Sequence, residues 1–279
     1  MIQDIFPHLF DNQYRVNQTI EEEDFVLHYT DKSLLMKIRD DEFELPRKKD
    51  LPEIWEQAEC TFLFTLDDIS CFLMRGRLNI DQPGLIFREI SFFRTIAQQE
   101  IAWISIAGFH LWNWYGQNKF CGKCGSKMQH KPDERALICP DCQTVVYPKI
   151  SPAVIVAIVC KDKILLARNV NFAGSWYSLV AGYVDVGETL EETIKREVKE
   201  EVGLDIRNVR YYKSQPWPLS GSMMIGFVAE ADESQPISID NKEIAEAAWF
   251  SRGNLPPHPS TISITGEMIE KFEKGELTA

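Results

Sequence analysis

Residues 182–204 read GYVDVGETLEETIKREVKEEVGL, a loop that runs into a helix and ends on a glycine. Gly187 lets the chain turn into the helix, and Gly203 suits the left-handed position that terminates one. Between them Leu190, Ile194 and Val198 recur every four residues, giving the helix an apolar seam that can pack on a sheet. With that seam buried, Glu197, Glu200 and Glu201 fall at i, i+3 and i+4, so three carboxylates share one stripe. Like charges at that spacing cost stability unless something relieves them. Hard divalent cations, Mg²⁺ or Mn²⁺, do so by bridging carboxylates to substrate phosphates, and they acidify bound water for attack at phosphorus.

The segments on either side supply a sheet for the helix. After Pro148 and Pro152 comes AVIVAIV at 153–159, a β-branched run suited to a buried strand. Lys161-Asp162 predicts a turn into a second strand over 163–167, and residues 223–229 predict a later one. This order is α/β in character, an α/β/α sandwich with a mixed sheet. Upstream, TFLFT at 61–65 followed by Asp67-Asp68 reads as hairpin chemistry. Ile96, Trp103, Ile106, Leu111 and Trp114 recur near helical spacing and predict a helix from Thr95 to about Tyr115, its aromatic stripe facing a core. The expected organisation is an α+β domain over 1–116, a cysteine-rich ribbon over 117–148 and an α/β catalytic domain over 149–279.

Composition narrows the class. Of 279 residues, 44% are hydrophobic and 26% charged, as in ordinary globular proteins. A net charge of −12 disfavours broad nucleic-acid binding unless positive charge is concentrated locally. The opening MIQDIFPHLF lacks the pattern of a signal peptide, and the longest apolar stretch, 101–109, is too short to span a bilayer, so a cytoplasmic protein without membrane association is expected. Cys60, Cys71 and Cys160 sit in strand-like surroundings, and the odd total of 7 cysteines argues against a disulfide framework.

The other four cysteines form two C-x2-C knuckles, Cys121/Cys124 and Cys139/Cys142, with Gly122, Gly125 and Pro140 supplying tight turns. Four thiolates fill a tetrahedral sphere and leave no position for water, so the expected metal is a structural Zn²⁺. Lys119, Lys123, Lys127, His130, Lys131 and Arg135 concentrate positive charge in this insert, which suggests contact with RNA.

Residues 182–204 resemble the Nudix box, G-x5-E-x7-R-E-U-x-E-E-x-G-U with U a bulky aliphatic residue, and match every fixed position. The resemblance implies that Glu197, Glu200 and Glu201 hold Mg²⁺ or Mn²⁺ and that Arg196 positions a carboxylate by salt bridge. Glu201 is preferred to Glu200 as general base. Glu188 is a further metal candidate, although a glutamate at a helix N-terminus also suits the dipole. SQPWP at 214–218, read locally as a proline-stiffened turn, resembles the signature of the NADH pyrophosphatase branch. Its usual continuation, phenylalanine, proline, any residue, serine, is here Leu219-Ser220-Gly221-Ser222.

That second resemblance implies hydrolysis of NAD(H) to nicotinamide mononucleotide and AMP, removal of NAD caps from RNA 5′ ends, and a homodimer. Gln215, Trp217 and Ser222 would lie at the substrate, and Tyr183 and Tyr147 would offer rings to a base. Glu243 would be a further metal ligand, with Glu246 as its nearby competitor. Other enzymatic readings are hydrolysis of ADP-ribose or of a dinucleoside polyphosphate. A reading of a different class is a regulator that senses nucleotides without cleaving them.

Overall fold

The computed structural model describes residues 1–39, 42–51, 58–76, 82–170, 176–239 and 242–278. The chain divides into two compact units, one of residues 3–149 with 218–220 and the other of residues 1–2, 150–217 and 221–279. Among the described residues, no helix is long and apolar enough to cross a membrane.

The first unit opens with strands β1 (Phe10–Asp11), β2 (Phe25–Leu27), β3 (Tyr29–Thr30), β4 (Ser33–Arg39), β5 (Glu42–Glu44), β6 (Glu59–Leu66), β7 (Ile69–Arg75) and β8 (Leu85–Glu89). They form one sheet in the order β1-β6-β7-β2 and another in the order β3-β4-β5, with β8 also paired to β4. β6 and β7 are the expected hairpin, and Asp67 takes the left-handed conformation its turn requires, at φ 53°. Cys60 on β6 and Cys71 on β7 are free thiols, and burial pushes Cys60 up to about 11 and Cys71 higher still. Helix α1 (Gln99–Gln117) buries Trp103, Ile106, Leu111 and Trp114. It starts later than the apolar spacing predicts, because residues 90–94 take a 3-10 turn first. The cysteine-rich segment follows with β9 (Gln129–His130), β10 (Leu137–Ile138) and β11 (Val145–Val146), a sheet of three two-residue strands.

The second unit contains β12 (Ser151–Cys160), β13 (Lys163–Asn169), β14 (Val180–Tyr183), helix α2 (Leu190–Val202), β15 (Arg207–Trp217), β16 (Ser222–Glu230), β17 (Ile244–Ser251) and helix α3 (Ile264–Glu273). The sheet order is β15-β16-β12-β13-β17, with β14 also paired to β12. It is mixed: β12 and β16 run parallel, whereas the other pairs are antiparallel. β12 is apolar at nearly every position because both of its faces are covered. Val154, Val156 and Ile158 pack with Ile194, Val198 and Val202 of α2. Ile155, Ala157 and Val159 pack with Ile264, Met268, Ile269 and Phe272 of α3. The unit is thus the expected sandwich, helix on sheet on helix.

Local chemistry fixes the ends of α2. Thr189 caps its start, its Oγ1 accepting from the Glu192 backbone N–H at 3.2 Å while Glu192 Oε2 accepts from the Thr189 N–H at 2.9 Å. Gly203 ends it at φ 76°, where an added Cβ would meet Ser238 at 2.9 Å. Thr189→Ala is expected to lower stability by about 1 kcal/mol, read from the midpoint of urea denaturation.

The SQPWP segment corrects one expectation. It is not a turn: Ser214 to Trp217 end β15, in register with Ile225 to Ser222 of β16, and the turn comes after them. Pro216 is tolerated because β15 is an edge strand, where a missing N–H breaks no interior ladder.

Candidate active site

The sheet brings the two sequence signatures to one end of the unit. Ala153 of β12 lies opposite Tyr183 of β14, the second residue of the Nudix-like stretch, on one side. On its other side, Ser151 of β12 pairs with Ser222 of β16, which in turn pairs with Trp217. The Tyr183 hydroxyl and the Ser222 Oγ stand 3.1 Å apart across this end, with the Tyr183 ring half exposed.

Arg196 organises the carboxylates of α2. Its Nε and Nη2 donate to Glu188 Oε1 and Oε2 at 2.5 and 2.9 Å, a two-pronged pair. Nη1 donates to Glu197 Oε1 at 2.8 Å and Glu200 Oε2 at 3.1 Å, and Nη2 also reaches the Tyr183 carbonyl at 3.1 Å. This ring of acceptors raises the Arg196 pKa, Glu188 contributing most. In return Arg196 holds Glu188 down at about 2, with the Asp185 N–H and the Thr193 hydroxyl also donating to it. Glu188, which the sequence left between metal ligand and dipole partner, is therefore the main anchor of Arg196. The signal was its spacing, eight residues before the arginine, but the pairing depends on how the loop at Gly187 turns, at φ 94°.

Because Glu188 titrates below the ordinary carboxylate value of 4.5, its pairing stabilises the fold fully above that value and is lost as pH falls towards 2. Acidification from pH 5 to 3 is therefore expected to lower the melting temperature of Glu188→Gln less than that of the parent, when both are followed by circular dichroism.

The three box glutamates differ in setting. The Glu197 side chain is 14% exposed and that of Glu200 61%, while Glu201 as a residue is 7% exposed. Burial raises the Glu197 pKa against the pull of Arg196, and the charges of Glu200 and Glu243 add to the rise. Glu243, just before β17, thus acts electrostatically on Glu197, whereas Glu246 lies 3.6 Å from Arg168. Oxygen-only donors of this kind suit a hard divalent cation.

Gly182 makes room for this arrangement: a Cβ there would lie 2.0 Å from the Glu197 carboxyl carbon. The first box glycine is needed because a carboxylate occupies the space beside its Cα. Gly182→Ala is expected to fold, since the collision is with the end of a flexible side chain. It should displace Glu197 and cut turnover by about 10²-fold, measured as initial rates at saturating Mg²⁺.

Other expected site residues are placed differently. Gln215 is completely buried, donating through Nε2 to the Ile262 carbonyl at 2.9 Å and accepting at Oε1 from the Ile264 N–H at 2.6 Å. It ties β15 to the start of α3. Ser222, at 3% exposure, orients Tyr183. Trp217 is half-buried at the end of β15. Tyr147 belongs to the first unit, where its hydroxyl donates to Glu134 Oε1 at 3.0 Å.

The second cluster is made of sulfur. Cys121, Cys124, Cys139 and Cys142 present their Sγ atoms within 4.8 Å of one another, the only group of three or more potential metal-binding residues so gathered among the described residues. Sulfur pairs stand 3.4–3.5 Å apart. Four thiolates about 2.3 Å from a common centre would be about 3.8 Å apart, so the set fits a tetrahedral zinc. The knuckles repeat one pattern: the Gly125 N–H donates to the Cys121 carbonyl at 2.9 Å and the Gln143 N–H to the Cys139 carbonyl at 3.0 Å. Gly125 and Gln143 are both left-handed, at φ 79° and 59°. Hydrogen bonding from Thr144 brings Cys142 down to about 6, favouring thiolate.

Comparison with known proteins matches both clusters. The NUDIX domain family matches residues 149–272, and the NADH pyrophosphatase zinc ribbon domain family matches residues 117–147. NAD-capped RNA hydrolase NudC of Stutzerimonas stutzeri is 36% identical over 232 residues, covering 81% of this chain and 80% of that protein. The chain belongs to the Nudix hydrolase family. NAD-capped RNA hydrolase NudC of Salmonella typhimurium is 42% identical to this Nudix hydrolase over 179 residues, 63% of this chain and 69% of that protein. A solved NUDIX hydrolase from Nitrosomonas europaea, 21% identical, covers 56% of the chain and 90% of its own length at a TM-score of 0.48. The Nudix hydrolase thus carries a zinc ribbon whose four thiolates stand apart in kind from the carboxylates of α2.

Proposed function

We propose that this Nudix hydrolase cleaves the pyrophosphate of NAD(H) into nicotinamide mononucleotide and AMP, and removes NAD from capped RNA 5′ ends by the same cut. The reading rests on one observation: the Arg196-centred carboxylates and the exposed ring of Tyr183 lie at the sheet end that also carries the SQPW strand. Two curated relatives named as NAD-capped RNA hydrolases support it. Glu197, Glu200 and Glu201, with Glu243, would hold Mg²⁺ or Mn²⁺, which supplies charge neutralisation on the phosphates and acidified water. Glu201 takes the proton from the attacking water. Arg196 fixes the carboxylates, and the Tyr183 ring, oriented by Ser222, offers a face for the nicotinamide or adenine, a contact worth about 1–3 kcal/mol. Trp217 borders the same end.

The chain is divided as an N-terminal α+β domain (1–116), a zinc ribbon (117–148) and a Nudix domain (149–279). It acts as a homodimer in a reducing cytoplasm, where free thiols and zinc thiolates persist. Sedimentation equilibrium tests the dimer. The test of function is product identification after purified protein and Mg²⁺ or Mn²⁺ meet NADH, ADP-ribose, a dinucleoside polyphosphate and NAD-capped RNA. AMP with nicotinamide mononucleotide from NADH, and release of the cap nucleotide from RNA, are expected. No cleavage of any of the four would leave a nucleotide-sensing protein instead.

A further inference from the structure

A cavity of about 790 Å³ lies in the first unit, lined by α1 and the ribbon segment and by none of the Nudix-box residues. That is within the roughly 300–1,000 Å³ of small-molecule sites. Its walls combine aromatic and cationic groups: Trp112 and Tyr115 of α1, Arg75 of β7, and Lys119, Lys127 and His130 of the ribbon segment. Glu59 also lines it and is paired with Arg75, at 2.7 Å from Nη2. Arg75 lies 5.0 Å over the Tyr115 ring and its Nη2 stands 3.2 Å from His130 Nε2, while its Nε is buried without a hydrogen-bond partner.

The remaining charge is concentrated and unspent. Of the basic residues in the ribbon, Lys131 is committed to Asp133 and Glu134, and Arg135 to Asn12 and the Leu63 carbonyl. Lys119 and Lys127 are exposed and have no acidic partner among the described residues. Lys127 is one partner of the Phe120–Lys127 bridge and Lys119 immediately precedes the other, Phe120, which is 65% exposed. Two ammonium groups lining the same cavity as the partly exposed Trp112 and the exposed Phe120, on a chain of net charge −12, select an anion with a planar ring over an apolar or cationic ligand.

We propose that this cavity is a second nucleotide site, taking a nucleoside monophosphate unit with its phosphate on Lys119 and Lys127 and its base against Trp112. The unit is either free or a residue of single-stranded RNA, and the site goes beyond the pyrophosphate cleavage assigned to the Nudix domain. The test is binding to the full-length protein, by equilibrium dialysis without added divalent metal, of two probes lacking a pyrophosphate: AMP and an uncapped 5′-hydroxyl RNA hexamer. Because neither probe is a substrate, the result is independent of whether NAD(H) is cleaved.

Lys119→Ala/Lys127→Ala changes only exposed side chains and should keep its zinc, its melting temperature and its NADH turnover. It is expected to weaken binding of at least one probe tenfold or more and to flatten the salt dependence of that binding. Trp112→Ala should weaken the same probe by about tenfold. Loss confined to the hexamer assigns the site to RNA, and loss for AMP assigns it to the free nucleotide. Absence of binding by both probes, or affinities within twofold between the lysine variant and the parent for both, overturns the proposal.

Discussion

Glu201→Gln is expected to fold like the parent and to lose about 10²–10⁴-fold in turnover of NADH, the range of a lost general base. Glutamine keeps the shape of the side chain while removing a charge from a residue that is 7% exposed, so the fold has little reason to weaken. Glu200→Gln is the informative companion, because Glu200 is largely exposed and shares the Arg196 Nη1 donor with Glu197. If Glu201 takes the proton, its variant stays slow at every metal concentration, whereas a glutamate that only holds metal is partly rescued by excess Mn²⁺. Rates should be followed by chromatographic separation of AMP and nicotinamide mononucleotide, beside melting curves for each variant. Turnover within threefold of the parent for Glu201→Gln would remove Glu201 from the chemistry.

Much of this site is legible in the sequence because its parts obey short-range rules. Leu190, Ile194 and Val198 announce their buried face by helical period, and Gly203 announces its stop. What the period does not carry is which acceptor each donor takes. Arg196 has Glu188, Glu197 and Glu200 within reach, and its strongest pairing, to Glu188, is decided by a loop conformation. The role of Gln215 is hidden for a similar reason: its partners, Ile262 and Ile264, are far along the chain and are met only when β15 packs beside α3. Pro216 misleads locally, since a proline flanking a tryptophan has turn chemistry, yet an edge strand accepts it. β14, four residues with an alanine and a glycine, has too little β-branched character to be read as a strand. The cavity of the first unit depends on contacts such as Arg75 with Glu59 and His130, which no spacing announces.

Removal of zinc is expected to unfold the ribbon rather than to slow the chemistry directly. Its three two-residue strands and its small buried set, Met128, Ala136 and Leu137 beside Cys121 and Cys139, hold far too little apolar surface to fold alone. Metal binding must then supply its stability, and structural zinc contributes on the order of 10–16 kcal/mol to such modules at neutral pH. Cys139→Ser is the sharpest variant because Cys139 is fully buried and its Sγ also accepts from the Cys142 N–H at 3.5 Å. The parent should carry one zinc per chain by elemental analysis, and the variant much less, with a lower melting temperature and early proteolysis within 117–147. Excess Mg²⁺ should restore none of this, since thiolates select zinc over hard cations. Thiolate binding also requires deprotonation, so zinc should be retained at pH 7 and released on acidification, as protons compete with the metal for the four sulfurs. A zinc-free Cys139→Ser protein with the melting temperature and protease resistance of the parent would show that the ribbon stands without its metal.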